Sequence, residues 1–345
     1  MSRFCYIKFA SAVLLLLAAF STCPAKEEER SRPTGQLKRF TFVEAHMGTH
    51  FKIILYAKDR ATAEQAAKAA FARIAQLDGI MSHYRLTSEL MQLCLKSDDK
   101  PVKVSSDLFA VLWQAQKMAE QSNGAFDVTI GPVVRLWRRC RLKNKLPTPQ
   151  ELAQARSLVG FRNLVLDPKH QTVQLKQPGM RLDLGGIGKG FAADKAIETL
   201  ARLGVDRALV SAGGDIVVSK PPPDSDGWRI GIAPLEDPDA RPERFIFLAD
   251  AAIATSGDAE RYVEIDGIRY SHIVDPRTGL GLVGRISATV IAPDGTTADA
   301  LATTLNILGE KGLPLIEKTP GASGLIHRKV DNKDVLIKSK RFPDH

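Results

Sequence analysis

Cysteine is scarce in this chain of 345 residues, which contains only four. Two of them, Cys5 and Cys23, lie within the first 25 residues. The other two, Cys94 and Cys140, are too few for a disulfide framework or a zinc cluster. Two interpretations of this pair remain open: one disulfide in an oxidising compartment, or two buried thiols that pack as small apolar side chains.

Several signatures of catalysis and architecture are also missing. The chain has no GxSxG turn, no HExxH helix and no CxxC pair, and it shows no repeat with a period of about 20–50 residues. These absences argue against a serine hydrolase elbow, a zinc protease helix, a thioredoxin-like redox pair and a solenoid. Beyond the N-terminal leader, no segment is apolar enough to predict a membrane span.

Charge of one sign does not dominate. The formal net charge is +9, from 48 basic and 39 acidic residues, and the basic residues are mostly scattered. One run of basic residues stands out, and we interpret it as a solvated loop. The alternative is a surface that faces an anionic partner. We expect no nucleic-acid partner. The run consists of Arg135, Arg138, Arg139, Arg141, Lys143 and Lys145.

The N-terminus has the pattern of an export signal. Arg3 and Lys8 precede an apolar core at residues 10–20 that is short for a bilayer, and cleavage after Ala25 fits a small-residue site. We therefore predict an exported, periplasmic protein. A lipid anchor on Cys23 is the alternative.

The rest of the chain divides into a short tether and one domain. Residues 1–25 are the predicted signal peptide, and the polar residues 26–38 are a predicted flexible tether. Over residues 39–340 strands and helices mix without βαβ alternation, which predicts a single α+β domain with central antiparallel or mixed sheets flanked by helices. The predicted helices include 60–81, 90–95, 107–122, 191–203 and 299–308, and the segment from Ser271 to Gly279 is predicted to be a loop.

A glycine cluster organises the middle of the chain. An alternating strand is predicted to end at Leu184, and the helix is predicted to begin near Phe191. Glycines at such a turn let backbone N–H groups approach an anion, and Lys189 adds positive charge. A tight connection without a ligand remains the alternative. A dinucleotide-binding site is a weaker alternative, because the glycines do not have the GxGxxG spacing. The glycines are Gly185, Gly186, Gly188 and Gly190.

Two further groups of side chains suggest chemistry. Asp299 and Thr303 are four apart in a predicted helix, so both oxygens face one side and suit a hard cation such as Mg²⁺. The alternative is that Asp299 complements the dipole of the first helical turn and Thr303 packs. His272 lies near Asp275, where a histidine can act as a general base, although most loop histidines do not.

Eight short segments, in order, resemble the ApbE-type FAD:protein FMN transferases. Each is weak alone, but together they span roughly residues 40–330 and are specific. They are Met47-Gly-Thr49, Ser82-x-Tyr84 with Ser88-Glu-Leu90, Gly124-Ala-Phe-Asp127, Asp183-Leu-Gly-Gly-Ile-Gly-Lys-Gly-Phe-Ala, Ala212-Gly-Gly-Asp215, Thr255-Ser-Gly-Asp258, Ser271-His-Ile-Val-Asp-Pro-Arg-Thr-Gly279 and Asp299-Ala-Leu-Ala-Thr303.

The resemblance implies an enzyme that binds FAD as substrate together with Mg²⁺. It implies transfer of FMN to a threonine hydroxyl of an acceptor protein, with release of AMP. The acceptor it implies is a subunit of a membrane redox complex. Two other functions remain open: an FAD pyrophosphatase that passes FMN to water, and a flavin-binding carrier without turnover.

The resemblance also assigns residues. The carbonyl of Gly186 and the side chains of Asp299 and Thr303 are expected to hold Mg²⁺, and His272 is the expected base. Members of this family often have a residue with a side chain at the position of Gly186. The expected ligand is the backbone carbonyl, which is present whichever residue occupies this position. The residues expected to contact FAD are Met47, Tyr84, Ala125, Phe126, Asp127, Asp183, Lys189 and Ile273.

Overall fold

The computed structural model describes residues 36–96, 100–235, 241–242, 244–257, 262–331 and 333–343. The predicted signal peptide, Cys23 and residues 26–35 of the predicted tether lie outside these ranges. Residues Leu37–His345 form one compact unit. Among the helices of the described ranges, none has the length and apolar character needed to cross a membrane.

An eight-stranded antiparallel sheet forms the centre of the molecule. Its strand order is β1-β2-β6-β7-β10-β14-β15-β16, and every neighbouring pair is antiparallel. The strands are β1 (Lys38–His46), β2 (Thr49–Ala57), β6 (Ala208–Ala212), β7 (Asp215–Val218), β10 (Ala251–Gly257), β14 (Ile286–Ala292), β15 (Ser323–Val330) and β16 (Lys333–Lys338).

Helices cover one face of this sheet. Phe51, Ile53 and Leu55 of β2 alternate with polar residues and are fully buried, as a strand with one covered face requires. The helices α1, α3, α6 and α7 pack over that face and share the largest apolar core. They are α1 (Arg60–Met81), α3 (Ser106–Gln121), α6 (Gly188–Arg202) and α7 (Gly295–Leu308).

Smaller elements complete the fold. The hairpin of β8 (Trp228–Ile232) and β9 (Arg244–Leu248) packs over the opposite face of the sheet. The three-stranded sheet of β11, β12 and β13, which covers residues 262–283, packs with α4 (Gly131–Lys143) and α5 (Pro149–Arg156) around Trp137. The remaining elements are α2 (Glu89–Lys96), β3 (Val102–Lys103), α4 (Gly131–Lys143), α5 (Pro149–Arg156), β4 (Leu164–Asp167), β5 (Thr172–Leu175), β11 (Tyr262–Ile265), β12 (Ile268–Asp275), β13 (Leu280–Val283), α8 (Leu313–Lys318) and short 3-10 turns at Phe161–Asn163 and Gly309–Gly312.

The predicted α+β class is confirmed, but the predicted solvated loop over the basic run is wrong. Most of that run lies in α4, the helix from Gly131 to Lys143. Val133, Leu136, Trp137 and Cys140 are buried on one side of it, at helical spacing. That apolar stripe stabilises the helix, and the basic residues occupy its other faces. Cys94 and Cys140 are free thiols, so the disulfide interpretation does not hold.

Two other local predictions are also corrected. No strand precedes the glycine cluster: Leu182 and Leu184 are buried in alternation, but the segment makes only an isolated bridge, between Arg181 and Ile130. The predicted loop from Ser271 is instead the second half of β12, which continues to Asp275 because it pairs with β13.

Candidate active site

A cavity of about 1030 Å³ opens between α4, α6, α7 and β12. Segments far apart in the sequence form its walls, including the β1–β2 turn, the loop after α1 and the β6–β7 turn. Every predicted site residue lines this one cavity. They are Met47, Tyr84, Ala125, Phe126, Asp127, Asp183, Gly186, Lys189, His272, Ile273, Asp299 and Thr303.

The glycine cluster passes directly into α6, which begins at Gly188 rather than at Phe191 as predicted. The residue before the helix, Ile187, offers no side-chain cap. Instead, the Gly190 N–H donates to Oδ2 of Asp299 on α7 at 3.1 Å. A Cβ on Gly190 would lie 2.0 Å from the Gly295 carbonyl oxygen. This glycine therefore allows the close approach of α6 to α7.

Lys189 lies between two buried carboxylates. Its ammonium is 2.5 Å from Oδ2 of Asp215 and 3.6 Å from Oδ2 of Asp299. Burial alone would lower the pKa of Lys189, but the two carboxylates outweigh it and raise this pKa, so the ammonium stays charged. Burial and the nearby Asp299 raise the pKa of Asp215 to about 7, against the opposing effect of Lys189. Asp215 was not among the predicted site residues, although its motif carried part of the resemblance.

Side-chain oxygen atoms of α7 and β10 lie beside this ion pair, next to the backbone of Gly186. Asp299 is 1% exposed and lies in the second turn of α7, not the first, so the dipole explanation for it fails. Thr303 follows one turn later, and its Oγ1 is 3.2 Å from Oγ of Ser256. A Cβ on Gly186 would lie 2.9 Å from Oγ1 of Thr303, so the Gly186 backbone reaches the same place. Carboxylate, hydroxyl and carbonyl oxygens suit Mg²⁺ when phosphate and water complete the shell.

A tight turn brings Met47 to the cavity. Met47 and Gly48 join β1 to β2 with φ values of 50° and 74°, as a two-residue hairpin turn requires. A left-handed conformation is unfavourable for a methionine. The turn therefore holds the Met47 side chain at the wall of the cavity.

The segment Ala125–Asp127 forms a buried wall. The Asp127 carboxylate accepts hydrogen bonds from the Thr129 N–H at 2.8 Å, the Thr129 hydroxyl at 2.6 Å and the Phe161 N–H at 2.8 Å. Burial raises the pKa of Asp127, and these three donors oppose the shift. The carboxylate therefore anchors this wall. Phe126 is only 4% exposed, so its ring has little free surface for stacking.

A charged and aromatic cluster forms another part of the cavity wall. The ring of Tyr84, 70% exposed, lies 4.3 Å from the Arg138 guanidinium and 4.1 Å from the His83 ring. Arg138 donates to Nε2 of His83 at 2.5 Å and lies 3.5 Å from Oδ2 of Asp183. Burial lowers the pKa of His83; Asp183 opposes that shift and Arg138 adds to it. Arg138 connects two of the predicted FAD contacts, Tyr84 and Asp183.

Sequence reasoning missed Arg138 as a site residue, although a signal was present. The basic run contains an apolar stripe with helical spacing, from Val133 to Cys140. Recognising that stripe as a helix would have placed Arg138 on the flank of a packed element. His272 and Ile273 lie on β12 and are both partly exposed at the cavity.

Comparisons with known proteins identify relatives of this chain. The ApbE family model matches residues 47–326. The chain is 34% identical to the FAD:protein FMN transferase of Treponema pallidum, covering 84% of both chains. It is 35% identical to that of Haemophilus influenzae, covering 86% of this chain and 88% of the relative.

Solved structures have the same architecture. The flavin transferase ApbE from Vibrio cholerae superposes with a TM-score of 0.78 at 30% identity, covering 88% of this chain and 98% of that one. The ApbE protein of Thermotoga maritima gives a TM-score of 0.79 at 30% identity, covering 88% and 97%. The match extends over almost the whole described domain, and this chain belongs to the ApbE family.

Proposed function

We propose that this protein transfers the FMN half of FAD to a threonine hydroxyl of an acceptor polypeptide, releasing AMP. The observation that carries the proposal is the convergence of all the predicted site residues on one cavity. They come from six sequence segments that no local pattern requires to meet. Membership of a family whose curated relatives are FAD:protein FMN transferases supports the same activity.

The cavity has suitable dimensions and chemistry for FAD as substrate. Its volume of about 1030 Å³ lies at the upper end of the usual range for ligand pockets, which reaches ~1,000 Å³. Tyr84 offers an exposed ring for a planar group. Lys189 and the first turn of α6 provide positive charge for a diphosphate. The contacts expected from the remaining FAD-binding residues are part of this proposal.

Mg²⁺ fits the oxygen donors beside α6. In this proposal Asp299, Thr303 and the Gly186 carbonyl hold the ion. Within the described chain no group of three His, Cys, Asp or Glu side chains could hold a metal, and this donor set needs only one such side chain. An ion held by these residues would neutralise negative charge that develops on the diphosphate. Lys189 lies beside the same donors, and its ion pair with Asp215 keeps the ammonium charged.

The bond changes follow from the products. The acceptor hydroxyl oxygen forms a bond to the FMN-side phosphorus, and the bond from that phosphorus to the bridging oxygen breaks. AMP leaves with the bridging oxygen. His272 takes the hydroxyl proton as general base. The rest of the cavity wall orients the bound FAD.

Covalent transfer of fluorescence to an acceptor tests the proposal. The mature chain is incubated with FAD, Mg²⁺ and a candidate acceptor domain, and the denatured acceptor is examined for flavin fluorescence. We expect labelled acceptor and an equal amount of AMP. FMN found only in solution would instead indicate an FAD pyrophosphatase, and unchanged FAD would indicate a carrier.

A pair of aspartate variants tests the metal assignment. Asp299→Ala should abolish transfer, because it removes the only carboxylate among the proposed metal ligands. Asp206→Ala is the control, since Asp206 pairs with Lys220 on the surface. Full activity of Asp299→Ala with folding intact would rule out the proposed metal site.

Export to the periplasm is the proposed location. The sequence pattern of residues 1–25 supports this location. The exported protein is either released in soluble form after cleavage at Ala25 or anchored by a lipid on Cys23. The proposed acceptor is a subunit of a membrane redox complex, an expectation that rests on the family resemblance.

A further inference from the structure

The strand that carries the candidate base His272 contains a pronounced β-bulge. Tyr270 pairs with Val283 of β13, but the next register pair is Val274 with Gly281. Three residues, Ser271 to Ile273, therefore lie opposite the single residue Leu282. Bulges of this kind redirect side chains and are frequent beside active sites.

The bulge changes the surroundings of His272. In a regular strand, residues 270, 272 and 274 would share one face. Tyr270 and Val274 are buried in the apolar cluster around Trp137. A regular β12 would direct the imidazole of His272 towards that cluster, where a charged form is costly. In the bulged strand, His272 is partly exposed and lines the cavity, whereas Tyr270 and Val274 are buried.

Two neighbouring residues maintain this irregular backbone. Oγ of Ser271, which is 2% exposed, accepts a hydrogen bond from the Ile273 N–H at 3.0 Å and so closes a local turn around His272. Across the strand pair, a Cβ on Gly281 would lie 2.6 Å from the Ser271 carbonyl oxygen. Only glycine therefore fits at position 281 while the backbone at Ser271 keeps this path.

We propose that Ser271 and Gly281 are positioning residues for His272 in the transfer reaction. Ser271 holds the bulge from within the strand, and Gly281 leaves room for it on the partner strand. Together they direct the imidazole at the acceptor hydroxyl. The proposal rests on the proposed function for the role of His272, whereas the bulge itself is independent of it.

Kinetic measurements on Ser271→Ala and Gly281→Ala test this role. We expect kcat for transfer to fall at least tenfold in each variant, while the Kd for FAD stays within about twofold of the parent. The pH dependence of kcat should change as well, because the base is displaced and not removed. Ser271→Thr keeps the hydroxyl oxygen and should retain more activity than Ser271→Ala.

Gly79→Ala is the matched glycine control, because a Cβ there meets nothing within 4 Å. It should leave kcat unchanged. Parent-like kcat and pH profile in both Ser271→Ala and Gly281→Ala would overturn the proposal. A loss of FAD affinity equal to the loss of kcat would also overturn it, since it would indicate a general disturbance of the cavity. If Gly281→Ala fails to fold, the kcat and pH profile of Ser271→Ala alone test the proposal.

A chemical measurement separates this proposal from the function on which it rests. Diethyl pyrocarbonate modification of His272, followed by mass spectrometry of the digested chain, reports the environment of the imidazole without turnover. We expect the rate of modification at His272 to change at least threefold in the two variants and to stay constant in Gly79→Ala. If the parent transfers no FMN, the proposed function fails, and an unchanged modification rate would separately rule out the positioning role.

Discussion

At the scale of single residues, charge compensation dominates the cavity. The Lys189 ammonium faces two carboxylates, Asp215 and Asp299, which compensate its charge in the buried part of the cavity. Buried charges persist only when partners compensate for lost hydration. The three side chains therefore stabilise one another in the buried part of the cavity.

Arg138 provides a residue-scale test of the cluster around Tyr84. Arg138→Ala removes the guanidinium from the Tyr84 ring and from Asp183, so we expect FAD to bind about tenfold more weakly, or ~1.4 kcal/mol. Titration of FAD fluorescence measures the Kd. Arg139→Ala is the control, because Arg139 is exposed on the same helix. Equal affinities for the two variants would contradict a role of Arg138 in holding the FAD contacts.

At the scale of elements, the packing of α6 against α7 determines the site. Gly190 touches the first residue of α7 and also donates to Asp299. From the other direction, Asp194 of α6 accepts hydrogen bonds from the Gly295 N–H at 2.6 Å and the Thr296 N–H at 2.8 Å. Each helix therefore supplies an acceptor for the N-terminus of the other. This reciprocal capping holds Lys189 and Asp299 at a constant separation.

The helix contact predicts a large effect of a single methyl group. Gly190→Ala places a Cβ 2.0 Å from the Gly295 carbonyl oxygen, so the helices must move apart. We expect the free energy of unfolding to fall by ~2–3 kcal/mol. Gly79 lies in the last turn of α1, where a Cβ meets nothing within 4 Å, so Gly79→Ala should raise the free energy of unfolding by up to ~0.5–1 kcal/mol. Urea unfolding of both variants measures the difference, and similar midpoints would contradict the close contact.

Asp194 predicts a pH dependence of stability. Burial raises the pKa of Asp194 from 3.8 to about 6, although hydrogen bonds from Thr296 and Gly295 oppose the shift. The folded chain therefore binds this proton more tightly than the unfolded chain does. The contribution of Asp194 to the free energy of unfolding should fall as pH rises from 3.8 to about 6, and then stay level.

The variant Asp194→Asn tests that slope. Asparagine does not titrate, so the difference in unfolding free energy between parent and variant should change over the same pH interval. Urea unfolding at several pH values measures it. At neutral pH the variant should also be less stable, because it loses acceptor capacity at the N-terminus of α7. A difference that is independent of pH would show that Asp194 keeps an ordinary pKa.

At the scale of the whole molecule, ligand binding should be coupled to stability. The proposed FAD and Mg²⁺ contacts connect α4, α6, α7 and the central sheet, so binding should favour the folded state. At FAD concentrations of about 100 times Kd, with Mg²⁺ present, stabilisation of ~2.7 kcal/mol should raise Tm by roughly 5 °C or more. FAD without Mg²⁺ should produce a smaller shift.

Thermal unfolding with and without each ligand measures this coupling. In Asp299→Ala the shift produced by FAD should no longer depend on Mg²⁺. A shift that is the same with and without Mg²⁺ in the parent chain would separate metal binding from FAD binding and contradict the shared site.

Much of this protein follows from its sequence. Alternation in β2 and helical spacing in α1 predict those elements, because burial of one face imposes a period on the chain. Glycines, carboxylates and the ordered motifs identified the family and a group of residues that all line one cavity. Local periodicity and short-range chemistry are properties of neighbouring residues, so the sequence contains them directly.

Long-range contacts depend on how the chain folds in three dimensions. Nothing in the basic run shows that Arg138 reaches Asp183, since these residues are 45 positions apart. The pairing of Lys189 with Asp215, the capping of α6 by Asp299 and the bulge at His272 likewise depend on packing between distant segments. Such contacts arise because helices and strands must bury their apolar faces together, and the polar groups carried into that interior must then find partners.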